Sequence, residues 1–232
     1  MSRINLRYIL LSMGVLLTFS GLLSCRLFLN SGSPTSTPLP PTWFTAWLHD
    51  PVCQPPCWEE ITPGTTTMTE TVNILQSLPG VTIDSGPTKY SPHTDFQLEW
   101  SLPPPSPGGG MAWASDNGII NSLSIGGVLS TPLQKIIESF GLPDNVFIPI
   151  CDVGICVTRL IYMHTGMMVE LALDWDREAD SDVIIAPDSE VWRIWFFVPG
   201  EKGFLDAFSQ YSESFPRWFP PWDGYGKYTF HR

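Results

Sequence analysis

The stretch CQPPCWEEITPGTTTMTETVNILQSLP, Cys53 to Pro79, and its shorter echo STPLQKIIESFGLP, Ser130 to Pro143, decide the reading of the fold. In the first, Met68, Val72, Leu75 and Leu78 fall at spacings of three or four, and Leu133, Ile136, Ile137 and Phe140 do the same in the second. Each copy therefore predicts a short helix with one apolar stripe, ended by a proline. Thr67 followed three residues later by Glu70 is a capping-box pattern, which starts the first helix, and Leu78-Pro79-Gly80 stops it. Two stripes need sheet to lie on.

Strand signals follow each helix. After the first come Val81 to Asp84, Asp95 to Leu102, Met111 to Ser115 and Ile119 to Ile125, with Asp116-Asn117-Gly118 as a hairpin turn. The second is followed by Val146 to Ile150, Cys156 to His164, Met167 to Asp174 and Glu190 to Val198. A third helical stretch, Gly203 to Tyr211, aligns Phe204, Leu205, Phe208 and Tyr211. The expected class is α+β, with two tandem units of a helix then three or four strands, at 43–128 and 129–200. They would form antiparallel sheet with the helices on one face, leaving 201–232 as a C-terminal helix and aromatic tail. Pro103 to Gly110, PPPSPGGG, reads as a loop, and no strand-to-helix context makes its glycines a phosphate cradle.

Working outward, the N-terminus carries Arg3 and Arg7 before an apolar run from Tyr8 to Leu23, the layout of a secretory signal over 1–24. The run closes on Leu22-Leu23-Ser24-Cys25, which resembles the bacterial lipobox. That resemblance implies cleavage before Cys25 and lipidation of its thiol. The competing readings are an ordinary cleaved signal and an uncleaved anchor continuing through Leu27-Phe28-Leu29, and both keep the rest of the chain outside the cytoplasm. Residues 25–42, rich in Pro, Ser and Thr, read as a tether, since such composition buries too little surface to order itself.

Five cysteines fit an exported chain if Cys25 carries lipid and four remain for bridging. Four allow three connectivities, of which the local pairs Cys53 with Cys57 and Cys151 with Cys156 are favoured. A sharper alternative makes His49, Cys53 and Cys57 a metal triad, but no fourth ligand stands at a recognised spacing.

Pro63-Gly64-x-Thr66 leading to Val72-x-x-Leu75, and Ile137-x-x-Phe140-Gly141-x-Pro143, resemble the helix-start and helix-end words of two families. One is the small outer-membrane assembly lipoproteins of the BamE (SmpA/OmlA) type; the other is the β-lactamase inhibitory proteins. The resemblance spans roughly 62–200. It implies a helix packed on antiparallel sheet, used twice, and a binding module; it transfers no site residue.

Two constellations carry chemistry. LDWDREADSD, Leu173 to Asp182, places Asp174, Asp176, Glu178, Asp180 and Asp182 at every second position, oxygen ligands that Ca²⁺ would accept. Ala179 and Ile185 stand where an EF-hand needs glycine and glutamate, and a solvated acidic loop competes with the calcium reading. The second is aromatic: Trp192, Trp195 and Phe197 in the last strand, then Trp218, Phe219, Trp222, Tyr225, Tyr228 and Phe230 in the tail. Core filling competes with an exposed ligand platform, for which Trp218 and Trp222 are the candidates.

Nothing here points to catalysis. The chain has no Gly-x-Ser-x-Gly elbow and no HExxH helix, and the adjacent Glu59 and Glu60 would point different ways. The formal net charge is −11; without residues 1–24 it is −13, from 10 Lys and Arg against 23 Asp and Glu. That field disfavours nucleic acid and anionic headgroups. The expectation is a lipid-anchored, extracytoplasmic, non-catalytic adaptor for another envelope protein. A glycan-binding lipoprotein and an unrecognised hydrolase are the alternatives, and no cofactor beyond Ca²⁺ is implied.

Overall fold

Thr67 caps helix α1 (Met68–Ser77) as the sequence predicts. Its hydroxyl accepts from the Glu70 backbone N–H at 3.2 Å, while the Glu70 carboxylate accepts from the Thr67 backbone N–H at 2.8 Å. Helix α2 (Leu133–Phe140) has no side-chain cap. Its first N–H groups instead donate to backbone carbonyls of the turn before the last long strand, Leu133 to Ser189 and Gln134 to Pro187, both at 2.8 Å. In this computed structural model the described residues are 48, 52–89, 96–103, 108–148, 155–174, 182–209 and 219–229; for 89, 128–130, 155–156, 174 and 229 only the backbone is described. The signal segment 1–24, Cys25, the tether 25–42 and His49 lie outside them.

Ten strands accompany the helices: β1 (Thr82–Lys89), β2 (Phe96–Ser101), β3 (Gly108–Ala114), β4 (Ile120–Pro132), β5 (Asn145–Phe147), β6 (Ile155–Tyr162), β7 (Met167–Asp174), β8 (Asp182–Ile185), β9 (Glu190–Phe197) and β10 (Gly226–Thr229). Eight form one antiparallel sheet in the order β1-β2-β3-β4-β9-β7-β6-β5, and β8 pairs with β10. The class is α+β. The expected boundary at 128/129 falls inside β4, and residues 41–232 form one compact unit.

Alternation along the strands sorts side chains onto two faces. Ile194 and Phe196, Leu160 and Tyr162, Met167 and Val169 enter one core with Met68 and Leu75 of α1 and Leu133 and Ile136 of α2. Intervening residues Phe197, Ile161 and Met168 join Phe204 of the third helix, α3 (Glu201–Ala207), its C-cap residue Phe208, and Phe219 on the opposite face. Helices α1 and α2 thus share a face, and α3 takes the other. Burying a Leu such as Leu75, which is fully buried, is worth about 1.5–3 kcal/mol, so these stripes fix both helices on the sheet.

Before α1, Trp58 and Ile61, both fully buried, exchange backbone hydrogen bonds at 3.0 and 2.8 Å around Glu59 and Glu60. Both glutamates have positive φ, 46° and 67°, the geometry of a two-residue type I′ turn. The Trp58 indole stacks on Trp100 of β2 at 5.7 Å, and Cys53–Cys57 closes a disulfide just upstream. That bridge leaves neither thiolate for the His49, Cys53 and Cys57 triad.

The sequence reading of Pro103 to Gly110 as a loop is corrected at its end, since Gly108, Gly109 and Gly110 are the first residues of β3. Glycine carries no periodic signal, but close approach requires it here. A Cβ on Gly110 would lie 2.0 Å from the buried Trp100 ring. Two strands, β8 and β10, were not expected; α3 occupies Glu201–Ala207 rather than Gly203 to Tyr211. Among the described residues no helix is long and apolar enough to cross a membrane.

Candidate functional site

The face of the sheet that carries α3 is covered by that helix only over part of its width, and polar side chains cluster on the rest. A register shift of β9 against β7 sets this up: Leu171 pairs with Val191 and Glu170 with Arg193, so Trp192 is an extra residue in β9, while on the other side residues 127–130 of β4 stand opposite it. Val191 enters the helix-side core, whereas Trp192 and Arg193 come together on the opposite side. The Arg193 guanidinium lies 4.7 Å from the Trp192 ring centroid and 5.6 Å from that of Trp195, a cation held over two indoles. Trp195 is itself stacked on Trp113 at 5.1 Å and meets Phe208 edge-on at 5.3 Å, which ties this wall to α3.

Beside Arg193 the sheet surface drops. The register places Ser101, Gly109, Gly126 and Arg193 in one row across β2, β3, β4 and β9. Two glycines in the middle of a row leave a trough, and Arg193 reaches back across it: a Cβ on Gly126 would lie 2.7 Å from Arg193 Nε. The depression has a volume of about 400 Å³. Its far wall is anionic, formed by Glu99 and by Asp84, whose carboxylate accepts from the Ser101 hydroxyl. Ser124 lines it from β4; the residue is 1% exposed, and its hydroxyl has no hydrogen-bond partner among the described residues. A buried hydroxyl without a partner costs about 1–3 kcal/mol, and this one is closed off from solvent beneath the surface of the recess.

Glu170 supports the cationic wall from β7. It is 2% exposed, accepts from Arg159 Nε at 2.7 Å and stands 3.9 Å from Arg193 Nη1. At 3.9 Å the second contact orients Arg193 by charge without consuming its donors, and Arg193 donates no hydrogen bond among the described residues. Among the described residues neither a histidine nor a carboxylate hydrogen-bonds the Ser124 hydroxyl. For recognition the arrangement offers guanidinium donors, two carboxylates and a partly exposed indole.

Of the residues singled out in the sequence, Trp192 borders the recess and Trp195 packs beside Arg193. Asp176, Glu178 and Asp180 are outside the described residues; Asp174 closes β7, and Asp182 opens β8, where its carboxylate pairs with Lys227 of β10. Among the described residues no group of three or more His, Cys, Asp or Glu is gathered to hold a metal. Cys151 and the Cys156 side chain lie outside the described residues, as does Trp218. Trp222 is half-buried against the helix-side core, stacked on Tyr228 at 5.9 Å and edge-on to Tyr225 at 5.8 Å. The tail that carries it straps the sheet edge: Val146 N–H donates to Pro220 O at 2.9 Å and Trp222 N–H to Asp144 O at 3.1 Å. Missed altogether were Glu99, Ser124 and Arg193. The available signal was the pairing of two glycine runs, Gly108 to Gly110 and Gly126-Gly127, with a Trp-Arg dipeptide. It becomes readable only once β4 is known to pair with β9.

No protein-family model matches this chain, and neither a curated protein nor a solved structure matches it.

Proposed function

We propose that the chain is an extracytoplasmic lipoprotein, anchored through Cys25, that works without catalysis as a binding module for another envelope protein. The observation that carries the binding reading is the recess beside Trp192 and Arg193. Tryptophan and arginine are the residue types that dominate binding energy at interfaces, and here both border a hollow with Trp192 37% exposed. The Cys53–Cys57 disulfide supports an oxidising address. A duplicated helix-plus-sheet unit, as in the BamE-type lipoproteins and β-lactamase inhibitory proteins, belongs to the same proposal. Its support is the strand order, in which β1-β2-β3-β4 and β5-β6-β7-β9 are each a four-strand run behind one helix, meeting at β4 and β9.

The test is a photo-crosslinking amino acid at position 192 in the intact envelope, with position 184 as control, since Ile184 is 68% exposed on β8, outside the recess. The expected result is a discrete protein adduct at 192 absent at 184. Equal labelling at both sites refutes the reading. A glycan ligand is the second reading, favoured by the exposed Trp192 indole beside carboxylates. It requires quenching of tryptophan emission by cell-wall fragments and loss of that quenching in Trp192→Ala.

A further inference from the structure

The recess has a direction. On one side stands the Arg193 guanidinium; on the other stand Glu99 and Asp84; between them the floor is Gly109 and Gly126. A purely anionic ligand would meet Glu99, Asp84 and the buried Glu170 in a chain of net charge −11, and a purely cationic one would meet Arg193. Only a dipole lying along the trough satisfies both walls. Its length follows from the register. Arg193 and Ser101 are three strand spacings apart, about 14 Å between backbones, and Arg193 folds back over the nearer glycine, which leaves about 10 Å. An extended peptide covers about 3.3–3.6 Å per residue, so two or three residues fit between the charges.

We propose that this recess binds a short peptide with free ends, its carboxylate taken by Arg193 and its ammonium by Glu99 and Asp84. The inference rests on the binding-module reading and names the ligand class of that same site. Arg193 supplies charge-assisted donors to the carboxylate, and Trp192 shields the guanidinium from water. Neither N-blocked nor C-blocked peptides satisfy both walls.

Calorimetric titration of the full-length protein in detergent with trialanine, its N-acetyl form and its C-terminal amide tests this directly. Trialanine is expected to bind and each blocked form to bind about ten-fold more weakly, which is about 1.4 kcal/mol. Arg193→Gln should lose discrimination between carboxylate and amide while keeping it between ammonium and acetyl, and Glu99→Gln should do the reverse. Should Arg193→Gln fail to fold, Asp84→Asn serves: Asp84 is exposed and asparagine can still accept from the Ser101 hydroxyl, so the melting temperature holds while the preference for free ammonium over acetyl drops several-fold. No binding at millimolar trialanine, or equal affinity for all three forms, overturns the proposal. A position-192 adduct without trialanine binding sinks the peptide site alone; trialanine binding without the adduct sinks only the protein-partner reading.

Discussion

Glu170→Gln is the substitution that most directly tests the architecture of the open face. Glutamine preserves volume, so no cavity opens, and the change isolates charge. Glu170 is 2% exposed and accepts from Arg159 Nε at 2.7 Å, with Arg193 Nη1 at 3.9 Å. Removing one partner of a buried ion pair costs about 3–5 kcal/mol because the other charge is stranded. Here the side chains of Arg159 and Arg193 keep 17% and 24% of their exposure, so water recovers part of that loss, and the lower end, about 3 kcal/mol, is expected. For a domain of this size that is a fall in melting temperature of about 6–12 °C. Urea unfolding followed by tryptophan emission measures it. A cycle with Arg159→Met should return a coupling of about 1–3 kcal/mol between the two side chains. A loss below about 1 kcal/mol, with no coupling, would show that the arginines are already hydrated and that Glu170 orders nothing.

Four further outcomes follow from the same contacts. Thr67→Ala removes the capping hydroxyl of α1 and should cost about 1 kcal/mol in urea unfolding, with Thr67→Ser nearly silent. Replacing Cys53 and Cys57 by alanine opens a short loop and should cost about 2 kcal/mol; a melting temperature indifferent to reductant in the parent contradicts this. Burial first, and the neighbouring Glu60 carboxylate second, push Glu59 above its ordinary value of 4.5. Its contribution is therefore fully present below that value and is lost as pH rises through the raised one, so Glu59→Gln should flatten the stability profile on the way to neutrality. Since Asp182 is already paired with Lys227, millimolar Ca²⁺ should leave the melting temperature unchanged; a rise that vanishes in Asp176→Asn decides for the calcium reading.

Local chemistry was legible in the sequence and long-range pairing was not. The capping box at Thr67 and Glu70, the strand Met167–Asp174 and the Asp116-Asn117-Gly118 hairpin came out where their residues put them, and Gly118 takes the positive φ, 76°, that such a turn needs. Gly108 to Gly110 misled because a strand without side chains has no alternation to read; the reason for those glycines is Trp100, on another strand. For the same reason β8 was missed. Asp182–Ile185 is four residues long and earns its pairing from Gly226–Thr229, far along the chain. The recess needed still more, because Glu99, Ser124 and Arg193 meet only through three successive registers and a bulge at Trp192.

Among the described strands, β1-β2-β3-β4 hydrogen-bond to β9-β7-β6-β5 where β4 meets β9. During synthesis, β4 is complete at residue 132, yet its free edge waits for residue 190. Through that interval a long strand offers unpaired N–H and C=O groups to any neighbour, which is the condition that seeds intermolecular stacking. Chains ending before residue 190 should accordingly precipitate rather than persist as half-proteins, and whatever escorts the nascent polypeptide must shield that rim until the closing strand arrives.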